Sequence, residues 1–120
     1  MAIDLEEGER RTLHGLQAAV GVIRKEDKEM PAQTLAVLLE VVNNPGITMK
    51  DLETKMELST AATSRIISRL SQWEKHEVPG HNFVEARKNP LDRRYMVVEP
   101  TAKGMAFVRR LVEAAHRGAR

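Results

Sequence analysis

Apolar residues recur along the chain at intervals that predict five helices and, between the fourth and the fifth, one β-hairpin. The first segment, from about Leu5 to Lys28, has apolar positions spaced by three, four and three residues, the period of an amphipathic helix. This seam is narrow, so the helix either packs on the chain's own core or pairs with a second copy of the chain. The residues of the seam are Leu13, Leu16, Val20 and Ile23.

The second segment is apolar on nearly every side. Between Leu35 and Val42 almost no polar face remains, which predicts a central, buried helix. Pro31 suits the first helical position, and the turn residues at 43–46 end the helix.

Two short helices joined by a tight turn are predicted next. Thr48 caps the first, with Asp51 at the capping-box position, and Ser59 caps the second. The second helix, about Ser59 to Trp73, places one set of residues toward the core: Thr63, Ile66, Ile67, Leu70 and Trp73. The opposite face is small and polar with arginines, and it comprises Thr60, Ala61, Ser64, Arg65, Ser68 and Gln72, with Arg69 at its edge. Such a face is either simply solvated or fits a DNA major groove about 12 Å wide.

The segment 83–98 is predicted to form a β-hairpin, because two runs of residues with high β-propensity flank a cluster of turn-forming residues at 88–92. Four cations crowd its tip, and Asp92 stands beside them, where it can hold an arginine by a charge-assisted hydrogen bond. These cations are Arg87, Lys88, Arg93 and Arg94. The order helix, turn, helix, hairpin is that of a winged helix-turn-helix, whose wing contacts phosphates or a minor groove. The alternative is a solvated edge hairpin whose charge prevents aggregation.

The last predicted helix, Thr101 to about Arg117, carries a second apolar seam. Its members are Met105, Val108, Leu111, Val112 and Ala115, of which the first four are the candidate interface residues. Together with the first seam it is the candidate dimer interface, although both seams could instead close the core of one monomer.

Composition narrows the classes of protein. A chain of 120 residues with 42% hydrophobic content fits one domain, 1–120, divided into helix 1–28, lobe 31–100 and helix 101–120. Cysteine is absent, which excludes disulfides and thiolate metal sites. The N-terminus lacks a signal pattern and no apolar run approaches membrane length, so we expect a cytoplasmic protein without a membrane partner. The net charge is only +2, but arginines concentrate in the second half of the chain.

The sequence contains few features that are typical of catalytic or cofactor-binding sites. No glycine-rich phosphate loop and no nucleophile with a nearby base is visible, so we expect neither an enzyme nor a bound cofactor. His76, Glu77 and His81 share the segment 74–82, but their spacing matches no familiar metal site, and a solvated loop is expected instead.

Four stretches together resemble the MarR family of winged-helix transcription regulators: Leu58–Arg65, Arg69-Leu70, Asp92-Arg93-Arg94 and Thr101–Gly104. The resemblance covers roughly residues 31 to 112, and it implies a mainly α fold with a small β-hairpin. It also implies that helix 59–73 enters the major groove, with Ser64 and Arg65 as principal contacts, while Arg93 and Arg94 approach the minor groove or backbone. The chain departs from the family pattern in a longer link at 72–82, in Pro100, and in ending after one C-terminal helix.

The function expected from the residues and the resemblance together is sequence-specific binding of double-stranded DNA by a homodimeric transcription regulator. By resemblance, repression is the commoner mode of action. The regulator either responds to a small-molecule or protein effector or, given its shorter C-terminal region, acts without a ligand. The proposed recognition residues are Ser59, Thr60, Ala61, Ser64, Arg65, Ser68 and Arg69, and those of the wing are Arg87, Lys88, Asp92, Arg93 and Arg94. Two alternatives stay open: a winged-helix module that docks on a polymerase or another regulator, and a DNA-binding accessory factor without sequence preference.

Overall fold

A computed structural model of the chain describes residues 4–120, which form five helices and five short strands. Residues 1–3, the start of the predicted segment 1–28, lie outside the described range. In chain order the elements are α1 (Glu7–Glu26), α2 (Ala32–Asn43), β1 (Ile47–Thr48), α3 (Met49–Met56), α4 (Thr60–Leu70), β2 (Trp73–Lys75), β3 (Val78–Pro79), β4 (Val84–Lys88), β5 (Met96–Pro100) and α5 (Ala102–Gly118). The mainly α winged helix-turn-helix fold predicted from the sequence is confirmed.

The chain divides into two compact units. The terminal unit contains the residues up to Met30 and those from Phe107 to Arg120, and the winged lobe contains Pro31–Ala106. The single domain predicted over 1–120, with its segments 1–28, 31–100 and 101–120, stays a prediction.

The winged lobe has a three-stranded antiparallel sheet in the order β1-β5-β4. Strands β4 and β5 form the predicted hairpin, paired from Val84 with Pro100 to Lys88 with Met96. Pro100 stands at the end of its strand, where a missing backbone donor is tolerated. Strand β1 was not predicted, because two residues are too few to produce a periodic pattern.

The core of the lobe lies around α2. Val37, Leu38 and Val41 of this helix are fully buried, which confirms that it is central. Side chains from α3, α4 and the sheet complete the buried set: Leu52, Ile67, Leu70, Phe83, Val84, Val97 and Val98. Pro31 occupies the N-cap of α2 and not the predicted first helical position, because its ψ of 146° is extended.

Helix α4 ends earlier than predicted. Ser71 has an extended backbone, and its hydroxyl donates to the carbonyl of Ile67 at 2.6 Å. The chain therefore leaves the helix at Leu70, and Trp73 begins β2 with 55% of its surface exposed. The prediction that Trp73 lies on the core face is wrong for this reason.

The segment 74–82, predicted as a solvated loop, is partly a second hairpin formed by β2 and β3. The residues after β3 return to the C-terminal end of α4, where three of their backbone amides donate to carbonyls at and just beyond the end of the helix. His81 N bonds Arg69 O at 3.0 Å, Phe83 N bonds Leu70 O at 2.7 Å, and Asn82 N bonds Ser71 O at 3.0 Å. The link thus caps the helix, which the sequence pattern did not reveal.

The terminal unit combines α1 with most of α5. Within α1, all of whose residues are described, only Gly15 is buried, while Leu13, Leu16 and Val20 are exposed. In α5, by contrast, four side chains are buried: Phe107, Val108, Leu111 and Ala114. The two helices approach closely, since a Cβ on Gly15 would collide with the carbonyl of Ala115. None of the described helices is long and apolar enough to cross a lipid bilayer.

Candidate nucleic-acid interface

Side-chain caps fix the beginnings of the two helices of the helix-turn-helix. The Thr48 hydroxyl accepts from Asp51 N at 3.0 Å, and the Ser59 hydroxyl accepts from Ala62 N at 3.1 Å. Both predicted caps are confirmed. Glu57 closes the turn between the helices in the left-handed region, with a φ of 55°. The start and direction of α4 are therefore set by local hydrogen bonds.

The outer face of α4 has the composition that the sequence predicted, except that Gln72 lies beyond the end of the helix. Ala61, Ser64 and Arg65 are exposed, and Ser68 and Arg69 are half-buried. Arg65 has no ion-pair partner in the described part of the chain. Thr60 is exposed as well, but its hydroxyl bonds the carboxylate of Glu53, so this side chain also joins α4 to α3.

Helix α4 forms a ridge between two open grooves. The first groove lies between α4, the start of α2 and β2, and is lined by Gln33, Thr34, Arg65, Arg69, Glu74 and Lys75 among others. The second lies between α4 and the wing, and its lining includes Met49, Ser64, Ser68, Trp73, Ala86 and Met96. A helix with free space on both sides can descend into a major groove.

Hydrogen bonds order the tip of the wing, which connects Lys88 to Met96. Asn89 N bonds Tyr95 O at 2.8 Å, and Tyr95 N in turn bonds Asp92 O at 3.1 Å. The Asn89 side chain accepts from Leu91 N at 2.9 Å. The tip is thus a compact turn and not a loose loop.

Asp92 holds Arg94, as the sequence predicted for one arginine of the tip. The carboxylate accepts from Arg94 Nε at 3.0 Å and from a terminal guanidinium nitrogen at 2.7 Å. These bonds lower the pKa of Asp92 below its usual range and raise that of Arg94. The guanidinium also lies 5.6 Å from the centre of the Tyr95 ring. Arg94 is consequently restricted in direction.

Arg87 is also paired, through a contact that the sequence did not predict. Its guanidinium donates to the Glu99 carboxylate at 2.8 Å, across the strands of the wing. This bond raises the pKa of Arg87. Lys88 and Arg93, by contrast, are exposed and have no ion-pair partner among residues 4–120. The four cations of the wing therefore form two classes, paired and free.

The fold adds Gln33 and Lys75 to this surface, which sequence reasoning had missed. Both line the first groove beside Arg65 and Arg69. Lys75 could have been predicted from the sequence, because it is a cation that closely follows the recognition helix. Gln33 carried none, since only the packing of α2 brings its first turn beside α4.

The two histidines considered for metal binding lie in different surroundings. His81 Nδ1 is 3.0 Å from Arg69 O, and its ring stacks on Phe83 with centroids 5.3 Å apart. His76 is exposed, with Nε2 3.8 Å from the Glu77 carboxylate. Across residues 4–120 no group of three His, Cys, Asp or Glu side chains converges on one point.

Residues 29–74 match the model of the MarR family. The matched range contains α2, α3 and α4 and reaches into β2, so it ends before the wing. No curated protein sequence matches the chain.

Solved structures extend the likeness over the wing and the terminal helices. The structure of MarR is 22% identical and superposes with a TM-score of 0.62 over 87% of this chain and 72% of its own. A transcriptional regulator from Thermotoga maritima is 14% identical, with a TM-score of 0.70 over 88% of this chain and 67% of its own. The PcaV regulator from Streptomyces coelicolor, solved with its natural ligand, is 23% identical, with a TM-score of 0.61 over 98% and 79%. These matches confirm the MarR-like winged-helix fold.

Proposed function

We propose that this MarR-like winged-helix chain binds duplex DNA and regulates transcription. The observation that carries the proposal is that the capped helix α4 exposes Arg65, while the wing, which lines a groove together with α4, exposes Lys88 and Arg93. Small and polar side chains permit a helix to enter a major groove, and cations without protein partners are available to phosphates.

The recognition surface in this proposal comprises Ser59, Thr60, Ala61, Ser64, Arg65, Ser68 and Arg69. Ser64 and Arg65 are its principal contacts, because they project from the middle of the ridge. A guanidinium can donate two hydrogen bonds to one guanine, which makes Arg65 the proposed source of base preference. The bond from Thr60 to Glu53 assigns Thr60 the additional task of holding α4 in position.

The wing contributes both free and directed cations. Lys88 and Arg93 are proposed to neutralise phosphates, because neither has an ion-pair partner among residues 4–120. Arg94, held by Asp92, is proposed to point into a narrow minor groove, where the negative potential of A·T-rich DNA attracts arginine. Arg87 is the weakest candidate of the four, since DNA would compete with Glu99 for it.

The proposed assembly is a homodimer through α1 and α5. Leu13, Leu16 and Val20 form an exposed apolar seam on α1, and Met105 and Val112 of α5 are exposed too. Ile23 is half-buried, and Val108 and Leu111 are already buried in their own chain, so the exposed residues supply most of the apolar surface for a partner. A two-fold dimer would place two recognition helices about 34 Å apart on a pseudo-palindromic site.

The regulator is proposed to act in the cytoplasm, most simply as a repressor that occludes a promoter. PcaV was solved with its natural ligand, and by analogy an effector, either a small molecule or a protein, is proposed to modulate DNA binding here.

Selection of bound duplexes from a random library, at two salt concentrations, tests the proposal. Recovery of a pseudo-palindromic sequence is the expected result. Salt-sensitive binding without a motif would instead indicate an accessory factor that lacks sequence preference. Absence of binding would overturn the proposal in favour of a protein-docking module.

Three variants then assign the surface. Arg65→Ala should cost about 1–3 kcal/mol on the selected site and relax base preference. Arg93→Ala should weaken binding evenly across sequences and reduce the salt slope by about one. Arg87→Ala is the matched control, and a smaller effect than that of Arg93→Ala is expected because Arg87 is already paired. Unchanged affinity in the first two variants would show that this surface does not bind DNA.

A further inference from the structure

The apex of the wing presents an apolar side chain to solvent. Leu91 is 95% exposed, the highest exposure of any large apolar side chain in the described residues. It follows Pro90 and precedes Asp92, so the turn at the tip of a cationic hairpin carries an exposed leucine. Neither the core of the chain nor the predicted cation contacts with DNA account for this residue.

The turn around Leu91 is ordered before any partner arrives. Leu91 N donates to the Asn89 side chain at 2.9 Å, and Asp92 N donates to the Asn89 carbonyl at 3.2 Å. The bond from Asn89 N to Tyr95 O closes the tip at 2.8 Å. A fixed turn loses little conformational freedom on binding, so the leucine is prepared for insertion into a partner.

The neighbours of Leu91 determine which partner it suits. Arg93 is exposed and has no ion-pair partner in the described part of the chain, and Arg94 is held in one direction by Asp92. An apolar tip between cations fits a site with phosphates at its rim and apolar surface at its floor. The minor groove of duplex DNA has this arrangement, because the faces of the stacked base pairs become accessible when a step opens.

We propose that Leu91 is a wedge that inserts between two base pairs from the minor groove and kinks the duplex. The inference rests on the proposed DNA binding and adds a mechanical role for the wing. Insertion partly unstacks one base step, and the cost is offset as the leucine leaves water and the bent duplex contacts more of the protein. The wedge predicts a preference for flexible pyrimidine–purine steps such as TA at the position of the wing, at base pairs that no polar side chain reads.

Bending is measured by energy transfer between dyes at the two ends of an A·T-rich duplex that contains TA steps, with 2-aminopurine at one step to report unstacking. The wild-type protein at saturation should bend the duplex by about 20–90° and increase the 2-aminopurine fluorescence. Leu91→Ala should bind with an unaltered salt slope but leave the duplex straight and stacked. Leu91→Met should retain the bend, because methionine also serves as a wedge.

Arg93→Ala is the matched variant at the same tip. It should weaken binding and reduce the salt slope, yet the duplex should remain bent at saturation, since the wedge is intact. A full bend with Leu91→Ala, or a straight duplex with the bound wild-type protein, would overturn the wedge alone. A wild-type protein that binds no duplex would overturn the proposed function as well. Loss of self-association in Leu91→Ala, measured by sedimentation, would assign the leucine to a second copy of the chain and overturn the wedge.

Discussion

Helices α1 and α2 both carry apolar residues at helical spacing, but only α2 buries them. Leu38 of α2 is fully buried within the winged lobe, whereas Leu16 of α1 is 61% exposed in the terminal unit. The lobe has a hydrophobic core of its own, whereas most apolar side chains of the α1 seam are exposed. A repeating apolar pattern shows that a face is suited to burial, and the fold decides whether the burial occurs within one chain.

The same truncation at the two sites should give the sharpest contrast. Leu38→Ala should lower the free energy of unfolding by about 2–5 kcal/mol, because it leaves a cavity in the lobe. Leu16→Ala should lower it by less than about 0.5 kcal/mol in dilute protein, because the side chain is exposed there. Denaturant titrations at low and high protein concentration measure both values. A large concentration-independent loss in Leu16→Ala would contradict the exposed position of α1.

A charge in the seam of α1 should break self-association. Leu16→Glu should raise the dimer dissociation constant more than about a hundredfold, since an unpaired carboxylate would be buried at the interface. Gln17→Glu adds the same charge at an exposed neighbour and should remain dimeric. Sedimentation measures both, and wild-type behaviour of Leu16→Glu would exclude α1 from the interface.

Replacement of Gly104 and of Gly21 by alanine should change the free energy of unfolding in opposite directions. A Cβ on Gly104, at the start of α5, would collide with the carbonyl of Phe83, and Gly104→Ala should destabilise the chain by about 1–3 kcal/mol. Gly21, in α1, has no atom within 4 Å of such a Cβ, and Gly21→Ala should stabilise by up to about 1 kcal/mol. Thermal unfolding measures both, and a stabilised Gly104→Ala would contradict the close approach.

Removal of the side-chain cap of α4 should lower the free energy of unfolding by a moderate amount. Ser59→Ala leaves the amide of Ala62 without its acceptor and should destabilise by about 1 kcal/mol. Thr12→Ala, in the second turn of α1, removes only a bond from the hydroxyl to Gly8 O and should change stability by less than about 0.5 kcal/mol. Chemical denaturation compares the two, and equal losses would contradict the capping role of Ser59.

The smallest expected effect is that of pH on the wing. The pKa of Asp92 is lowered chiefly by its hydrogen bonds from the Arg94 side chain. A carboxyl group with a lowered pKa stabilises the fold above its ordinary pKa, and the contribution is lost as pH falls through the lowered value, below about 4. The protection of the Leu91 and Asp92 amides, relative to intrinsic exchange at the same pH, should therefore fall in acid, and Asp92→Asn should show the lower protection already at neutral pH. Equal protection in both proteins at neutral pH would show that the carboxylate does not order the tip.

Local chemistry made much of the fold predictable. The caps at Thr48 and Ser59 need no tertiary contact, because each hydrogen bond joins two residues only three positions apart. The pairing of Asp92 with an arginine was predictable for the same reason, since Arg94 lies two residues away. The small and polar outer face of α4 follows directly from helical periodicity.

Features that depend on distant residues were missed or placed wrongly. The pairing of Arg87 with Glu99 requires the register of β4 against β5, and this register divides the wing cations into paired and free ones. Trp73 was assigned to the core because the helical period was continued past Leu70, but the end of α4 is capped by residues beyond the second hairpin. No local pattern contains these contacts.

The sequence by itself determined the order of the helices, the wing, their caps and the face of α4, because hydrogen bonds over a few residues and helical periodicity control them. Only the tertiary structure decided which wing cations are paired, where α4 ends, and that most of the α1 seam is exposed while Val108 and Leu111 of α5 are buried. Ion pairing and burial depend on which distant segments meet, and that is a property of packing in three dimensions.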